Sequence, residues 1–244
     1  MKFEYWAILG IALLQGCSSM HSRPADGVDE EKLAQIYATK GTAYLAQGKL
    51  KVALADLRKA LALDPDNAVA HESIALLYEY LGKAGKAAEH YREAAKLAPD
   101  DAKILNNYGR FLCKEGRYDE GLAFLEKAGS DKLYDERWKA LVNAGICAQR
   151  AGRQKQAETW LRQALALNPE SSDALAAMAR LMADRGNWLS ARAFLQRYEA
   201  VGQPSESMLR LGYRIETALG DTSAAQGYLD KLHRLFPDSQ PQAD

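Results

Sequence analysis

Apolar and polar residues follow one another along this chain in the manner of helices. Almost no run alternates between the two with a period of two, which half-buried strands would require. Helical patterns instead succeed one another from about residue 34 to the C-terminus. The pattern therefore predicts a protein that is nearly all helix.

A glycine stands wherever one helical pattern stops and the next begins. The steps between these glycines are 34, 34, 36, 34 and 34 residues. The six are Gly48, Gly82, Gly116, Gly152, Gly186 and Gly220. Glycine accepts positive φ at a helix end without steric cost. A fixed period of this length predicts an array of helix–turn–helix units.

Other positions of the unit keep the same phase. When each of these glycines is counted as position 15, positions 8, 20 and 27 are Gly or Ala throughout the first four units. Small residues there let two helices cross at close range. Position 24 is large in every unit: Leu57, Tyr91, Leu125, Leu161, Leu195 and Leu229. The sixth unit instead has Tyr213 and Leu232 at crossing positions, as terminal units often do.

This set of positions resembles the tetratricopeptide repeat family. The resemblance implies an all-α fold, a right-handed α-solenoid of six helix–turn–helix repeats over residues 30–238. The units run approximately over 34–67, 68–101, 102–137, 138–171, 172–205 and 206–239. The third unit is two residues longer than the others, near residues 129–137. We therefore expect a longer loop or a shifted helix start before Trp138.

The N-terminal segment differs from the repeats. Its apolar run, Tyr5 to Leu14, is too short for a permanent membrane-spanning helix and suits the core of a secretory signal. The run leads into Leu14-Gln15-Gly16-Cys17, which resembles a bacterial lipoprotein signal. The alternative is a buried helix whose cysteine is incidental.

The lipoprotein resemblance implies how the chain is processed. Residues 1–16 would be a signal peptide, and Cys17 would carry acyl chains. Ser18 after that cysteine implies the outer membrane, facing the periplasm. We interpret residues 17–29 as the acylated N-terminus and a flexible tether, and residues 239–244 as a disordered tail.

Two cysteines fall on the predicted first helices of units three and four. Cys113 is position 12 of its unit and Cys147 is position 10 of the next. Two helical positions differ by about 200° and about 3 Å in rise, so residues on neighbouring parallel helices can face each other. An exported protein also meets an oxidising compartment. We predict a disulfide between them; the alternative is two buried free thiols that pack as small apolar groups.

Composition and motifs disfavour several classes of function. The 32 basic and 32 acidic residues give a formal net charge of zero, which argues against a nucleic-acid binder. His21, His71, His90 and His233 stand apart from any metal-ligand spacing, and we expect His71 to serve packing. No phosphate loop or nucleophile elbow is present. We therefore predict no catalytic residue, metal, cofactor or small-molecule substrate, and hence no enzyme.

Repeat solenoids present a concave surface to their partners. In units one and two the first helices are predicted to line it with Ala38, Leu45, Val69, Leu76 and Tyr80, and the lining becomes charged towards unit six. An apolar patch left in water usually marks a partner site, here for a helix or an extended peptide. The alternative is that some of these residues pack against neighbouring units.

The signal, the tether, the six units and the cysteine pair together resemble the pilotin lipoproteins of type IV pilus biogenesis, the PilF/PilW family. The runs 104–113 and 118–121 look particularly similar to that group. The resemblance implies that the partner is the type IV pilus secretin, which such proteins escort to the outer membrane and help to assemble. Two other functions stay open: a scaffold for outer-membrane β-barrel assembly, and an adaptor for cell-wall enzymes.

Overall fold

A computed structural model describes residues 29–237, and every regular element in that range is a helix. Twelve helices follow one another there as six pairs. They are α1 (Glu30–Ala46), α2 (Leu50–Leu63), α3 (Ala68–Tyr80), α4 (Ala84–Leu97), α5 (Ala102–Lys114), α6 (Tyr118–Ser130), α7 (Arg137–Arg150), α8 (Gln154–Leu167), α9 (Ser172–Asp184), α10 (Trp188–Val201), α11 (Glu206–Leu219) and α12 (Thr222–Leu235). We call the odd-numbered helices first helices and their partners second helices. The fold is the expected all-α tetratricopeptide solenoid, in which each pair packs against its neighbours.

Each helix pair turns at its glycine. The six periodic glycines have φ between 68° and 79°, so the predicted positive φ is confirmed at every one. The residue after each glycine donates its N–H to a carbonyl five residues earlier, as Lys49 does to Tyr44 at 2.9 Å. This hydrogen bond satisfies a carbonyl that the end of the helix leaves without an intrahelical partner.

The small residues at the crossings are required by the spacing of the two helices. In the third unit, a Cβ atom added to Gly109 or to Gly121 would lie 2.8 Å from the other's carbonyl oxygen. Leu125, at position 24, packs over Gly109 and is fully buried. The same large position is buried in each of the first five units, whereas Leu229 of the sixth is half-buried.

In the sixth unit, the small residue at the crossing of the two helices lies one residue earlier than position 8 of the repeat. Gly212 is buried beneath the ring of Tyr228, which a Cβ atom at that glycine would overlap. Tyr213, which holds the nominal crossing position, is 39% exposed. The last helix pair thus keeps a small residue at its contact by a shift of register.

The two extra residues of the third unit lengthen the loop between its second helix and the next first helix. Residues 131–136 separate α6 from α7, whereas four residues form the other junctions between units. The expectation of a longer loop there is confirmed. Leu133 at its tip is 92% exposed, while Tyr134 packs against the core, and burial raises its pKa to about 12.

Aromatic rings fill the junction between units two and three. The ring of Tyr91 lies 5.8 Å from that of Tyr108 and 5.1 Å from that of Phe111, centroid to centroid. All three side chains are buried. Here the backbones of α3 and α5 approach each other less closely than those of the other neighbouring first helices. The rings themselves pack α4 against α5.

None of the helices within residues 29–237 has the length and apolarity that crossing a bilayer demands. The signal segment, Cys17 and the tail over residues 239–244 lie outside the described residues.

Candidate functional site

Four of the predicted groove residues form what we call the apolar patch: Leu45, Val69, Leu76 and Tyr80, on α1 and α3. Tyr80 is 76% exposed. The other three are half-buried and pack on the core of the first units. Three side chains of the patch are therefore held by the core, and the aromatic side chain of Tyr80 protrudes into solvent.

Ala38, the fifth predicted groove residue, lies elsewhere. Its side chain is fully buried within the core, so the prediction that it lines the groove is wrong. One turn along α1, Thr42 donates its hydroxyl to the Ala38 carbonyl at 2.8 Å and meets Ser73 Oγ at 2.6 Å. The contact with Ser73 joins α1 to α3. The side of α1 that carries Ala38 is closed by the neighbouring first helix.

The structure shows one further exposed apolar residue beside Tyr80 in the chain, which was not among the predicted groove residues. Leu81 follows Tyr80 at the end of α3 and is 43% exposed. It belongs to the turn before Gly82, and the frame of groove positions therefore omits it. The sequence signal that could have identified Leu81 is a large apolar residue directly before the glycine that ends the helix.

Polar side chains link successive first helices, and we call this set of contacts the polar ladder. Glu72 is almost fully buried on α3 and accepts hydrogen bonds from Lys103 Nζ at 3.1 Å and Asn107 Nδ2 at 2.6 Å, both on α5. On the next first helices, Asn143 donates to Asn106 Oδ1 at 2.8 Å. A buried carboxylate is tolerated only when its oxygens are satisfied, as they are here.

Glu79 makes the densest contacts of the polar ladder. Arg110 donates to both of its oxygens, at 2.9 and 2.8 Å, and Lys114 and the Tyr91 hydroxyl also bond to it. Burial alone would raise the pKa of Glu79, but the hydrogen bonds and charge of Arg110 outweigh it and hold the pKa below its usual value. These charged residues bridge the wide gap between α3 and α5.

The structure joins Cys113 of α5 to Cys147 of α7 in a disulfide, with Cα atoms 5.5 Å apart. Both residues are buried. This separation of Cα atoms is the usual one for a disulfide. The bridge links units three and four across the junction where the period is interrupted.

His71 packs against a second histidine. Its Nδ1 lies 3.0 Å from Nδ1 of His90, and its Nε2 lies 3.1 Å from the carbonyl of Pro65. Burial, and then the charge of His71, lower the pKa of His90. Within residues 29–237, no three side chains of the His, Cys, Asp and Glu types come together as metal ligands.

Family models match almost the whole described range. One described as "TPR repeat" matches residues 41–82. Four described as "Tetratricopeptide repeat" match residues 68–101, 100–170, 148–211 and 206–239. The helix pairs seen in the structure are thus tetratricopeptide units.

The chain is also similar to proteins of pilus biogenesis. It is 32% identical over 213 residues to the type IV pilus assembly protein PilF of Pseudomonas aeruginosa, an alignment that covers 87% of this chain and 84% of PilF. The solved structure of Pseudomonas aeruginosa PilF matches with a TM-score of 0.77 and 31% identity, over 86% of this chain and 95% of that one.

The crystal structure of PilW, described as a widely conserved type IV pilus biogenesis factor, matches with a TM-score of 0.81 and 33% identity. That match covers 86% of this chain and 96% of PilW. Sequence and structure agree along nearly the full length of both relatives. The chain belongs to the PilF/PilW family of tetratricopeptide-repeat proteins of type IV pilus biogenesis.

Proposed function

We propose that this protein is a pilotin, an outer-membrane lipoprotein that binds subunits of the type IV pilus secretin and promotes their localisation and assembly into multimers. The observation that carries the proposal is the apolar patch. In a chain of this family, Tyr80 is 76% exposed, and the other three residues of the patch are half-buried against the core. A large aromatic side chain held in water in this way is typical of a binding hot spot.

The apolar patch takes up apolar side chains of a helical or extended secretin segment. The Tyr80 ring supplies contact area at low cost in conformational entropy, and its hydroxyl can bond to the partner's backbone. The polar ladder beside it fixes α3 against α5 through Glu72 and Glu79. The binding face is thus largely formed before the partner arrives.

Lipid on Cys17 places the protein at the outer membrane in this proposal. Several acyl chains hold a protein at a bilayer far more firmly than one does. Tethering then raises the effective concentration of the captured secretin segment at the membrane where assembly occurs. Binding and location are sufficient, and no chemical step is needed.

The test is the double substitution Leu76→Glu with Tyr80→Glu in cells that produce the secretin. Two carboxylates in the apolar patch should abolish capture, because docking would have to desolvate them. We expect the yield of heat-resistant secretin multimers to fall, and co-purification of secretin to be lost. Tyr80→Glu alone should show the same direction of change, and because Tyr80 is exposed it leaves the core untouched.

The matched control is Leu133→Glu with Leu189→Glu, two leucines that are 92% and 69% exposed outside the patch. This variant has the same added charge and should keep both readouts. Unchanged multimer yield in the Leu76 and Tyr80 variant, with helix content intact, would count against the site. Co-purification of β-barrel assembly factors or of cell-wall hydrolases in place of secretin would instead support one of the two alternative functions.

A further inference from the structure

Two adjoining cavities form a continuous depression on the first helices of units four to six. One, of about 530 Å³, is bounded by α7 and α9, and the other, of about 430 Å³, by α9, α11 and α12. They share Arg180 and Asp184 as walls. We call this depression the arginine trough, because Arg150, Arg180, Arg210 and Arg214 line it.

Positive charge exceeds negative charge in the arginine trough: Arg210 is paired with Glu206 and Arg214 with Asp184, whereas Arg150 and Arg180 have no carboxylate partner within residues 29–237. Asp184 is the one carboxylate among the residues of 29–237 that line it. Arg214 donates to Asp184 at 3.3 Å, and Arg180 donates to the neutral hydroxyl of Ser207 at 3.0 Å. Arg150 is exposed and has no hydrogen bond or ion pair within residues 29–237. The exposed contacts of Arg214 with Asp184 and of Arg180 with Ser207 contribute little to stability, so a ligand carboxylate can replace them.

In the polar ladder of units two and three, by contrast, each basic group is paired with a carboxylate. There the basic groups of Arg110 and Lys114 converge on Glu79, and Lys103 is paired with Glu72. Those charges are satisfied within the protein. Arg150 and Arg180, which have no carboxylate partner within residues 29–237, lie in units four and five, away from the apolar patch.

Apolar side chains stand between the arginines of the trough. Ile146 is half-buried in the cavity beside α7, and Tyr213 is 39% exposed in the cavity beside α11. Three neighbouring first helices span about 20 Å at ordinary helix spacing. An extended chain covers that distance with about six residues. A guanidinium presents a planar fork of donors that matches a carboxylate.

We propose that the arginine trough is a second docking surface, which holds an extended acidic polypeptide segment that also carries an apolar side chain. Carboxylates of the segment contact Arg150, Arg180 and Arg214, and its apolar side chain lies against Ile146 or Tyr213. The surface is separate from the apolar patch, so the protein can hold two segments at once. This inference goes beyond the proposed function and does not depend on which partner occupies the apolar patch.

The test measures fluorescence anisotropy of a labelled peptide with the purified full chain in mild detergent. The peptide has about eight residues, Asp and Glu around one leucine, to match the length of the trough. Its control replaces each Asp with Asn and each Glu with Gln. We expect the acidic peptide to bind and the neutral one to bind at least about ten-fold more weakly. Raising the salt from about 50 mM to about 500 mM should weaken the acidic complex.

The variant R150Q/R180Q/R214Q should weaken binding of the acidic peptide by about ten-fold or more, since it removes three carboxylate contacts. The matched control R58Q/R92Q/K155Q removes the same charge from exposed positions on second helices and should keep the affinity.

Three results would overturn the proposal. The first is equal weakening in the two triple variants, which would reduce the effect to net charge. The second is equal affinity for the acidic and neutral peptides. The third is binding of the trough to anionic phosphatidylglycerol vesicles with no binding of the acidic peptide. The Leu76→Glu and Tyr80→Glu variant should bind the acidic peptide normally, so failure here and failure of the pilotin proposal are distinguishable.

Discussion

The sulfur of Cys113 lies directly against Gly121 and occupies the space that a Cβ atom at position 121 would need. The same glycine faces the carbonyl of Gly109, at 2.8 Å from a Cβ position. One small residue thus allows both the close crossing of α5 with α6 and the placement of the half-cystine that reaches α7.

Gly121→Ala should therefore lower the free energy of unfolding by about 1–3 kcal/mol, because the added methyl group overpacks a site bounded by backbone. Urea denaturation measures the change. Gly227→Ala is the matched control, since that helical glycine is exposed and has nothing within 4 Å of its Cβ position. It should leave stability unchanged or raise it by about 0.5–1 kcal/mol.

Removing the disulfide should lower the free energy of unfolding by more than Gly121→Ala does. The variant Cys113→Ser with Cys147→Ser opens a link between residues 34 apart in sequence, and the chain-entropy relation gives a loss of about 3–4 kcal/mol. Urea unfolding with and without reductant measures it: reductant should shift the wild type towards the variant and leave the variant unmoved. Alkylation of both thiols in denatured protein that had never met reductant would contradict the bridge.

Glu79 should make stability depend on pH in the acidic range. Its pKa in the folded protein lies below the ordinary value of 4.5, so its stabilising effect is present above that value and is lost as the pH falls through the folded pKa. Glu79→Gln should cost about 1–3 kcal/mol at neutral pH. It should also flatten the fall of stability below about pH 4.5.

Unfolding free energies measured between neutral and acidic pH test this prediction. Glu93→Gln is the comparison, because Glu93 also has a lowered pKa through its bond to Lys96, but the pair lies at the surface. Its loss should change stability little. A Glu79→Gln curve parallel to the wild type across the acidic range would show that this carboxylate is not responsible.

Cys17→Ala tests the lipid anchor on which the proposed function depends. The variant should not incorporate labelled palmitate, and it should leave the outer-membrane fraction. Cys113→Ser with Cys147→Ser serves as the control, because it should keep the label and the membrane location. Label retained in the Cys17 variant would place the acyl chains elsewhere.

The parts of the fold that could be predicted from sequence are those set by a local steric demand. A positive φ requires a glycine such as Gly152, and a close crossing requires small residues such as Gly109 and Gly121. Each of these steric requirements recurs once per unit, so it can be recognised in the sequence as a residue type that repeats with the same period. The longer loop before α7 was predictable for the same reason, as an interruption of that period.

The surface was harder to predict, because it depends on how closely neighbouring units approach. Ala38 is buried because α3 closes over that side of α1. Glu72 and Glu79 find their partners on the next first helix, 31 or 35 residues along the chain. Whether such long side chains meet depends on the spacing of α3 and α5, which no local pattern in the sequence expresses.

The contacts of the polar ladder have a mechanical consequence. Each one joins adjacent units only, so no link within residues 29–237 ties the first unit to the last. A pull on the N-terminal end should peel the helix pairs away singly, each yielding its own extension. The covalent loop between Cys113 and Cys147 cannot be drawn out, so the extension recorded by an optical trap should fall short by the length of that loop until a reductant is added.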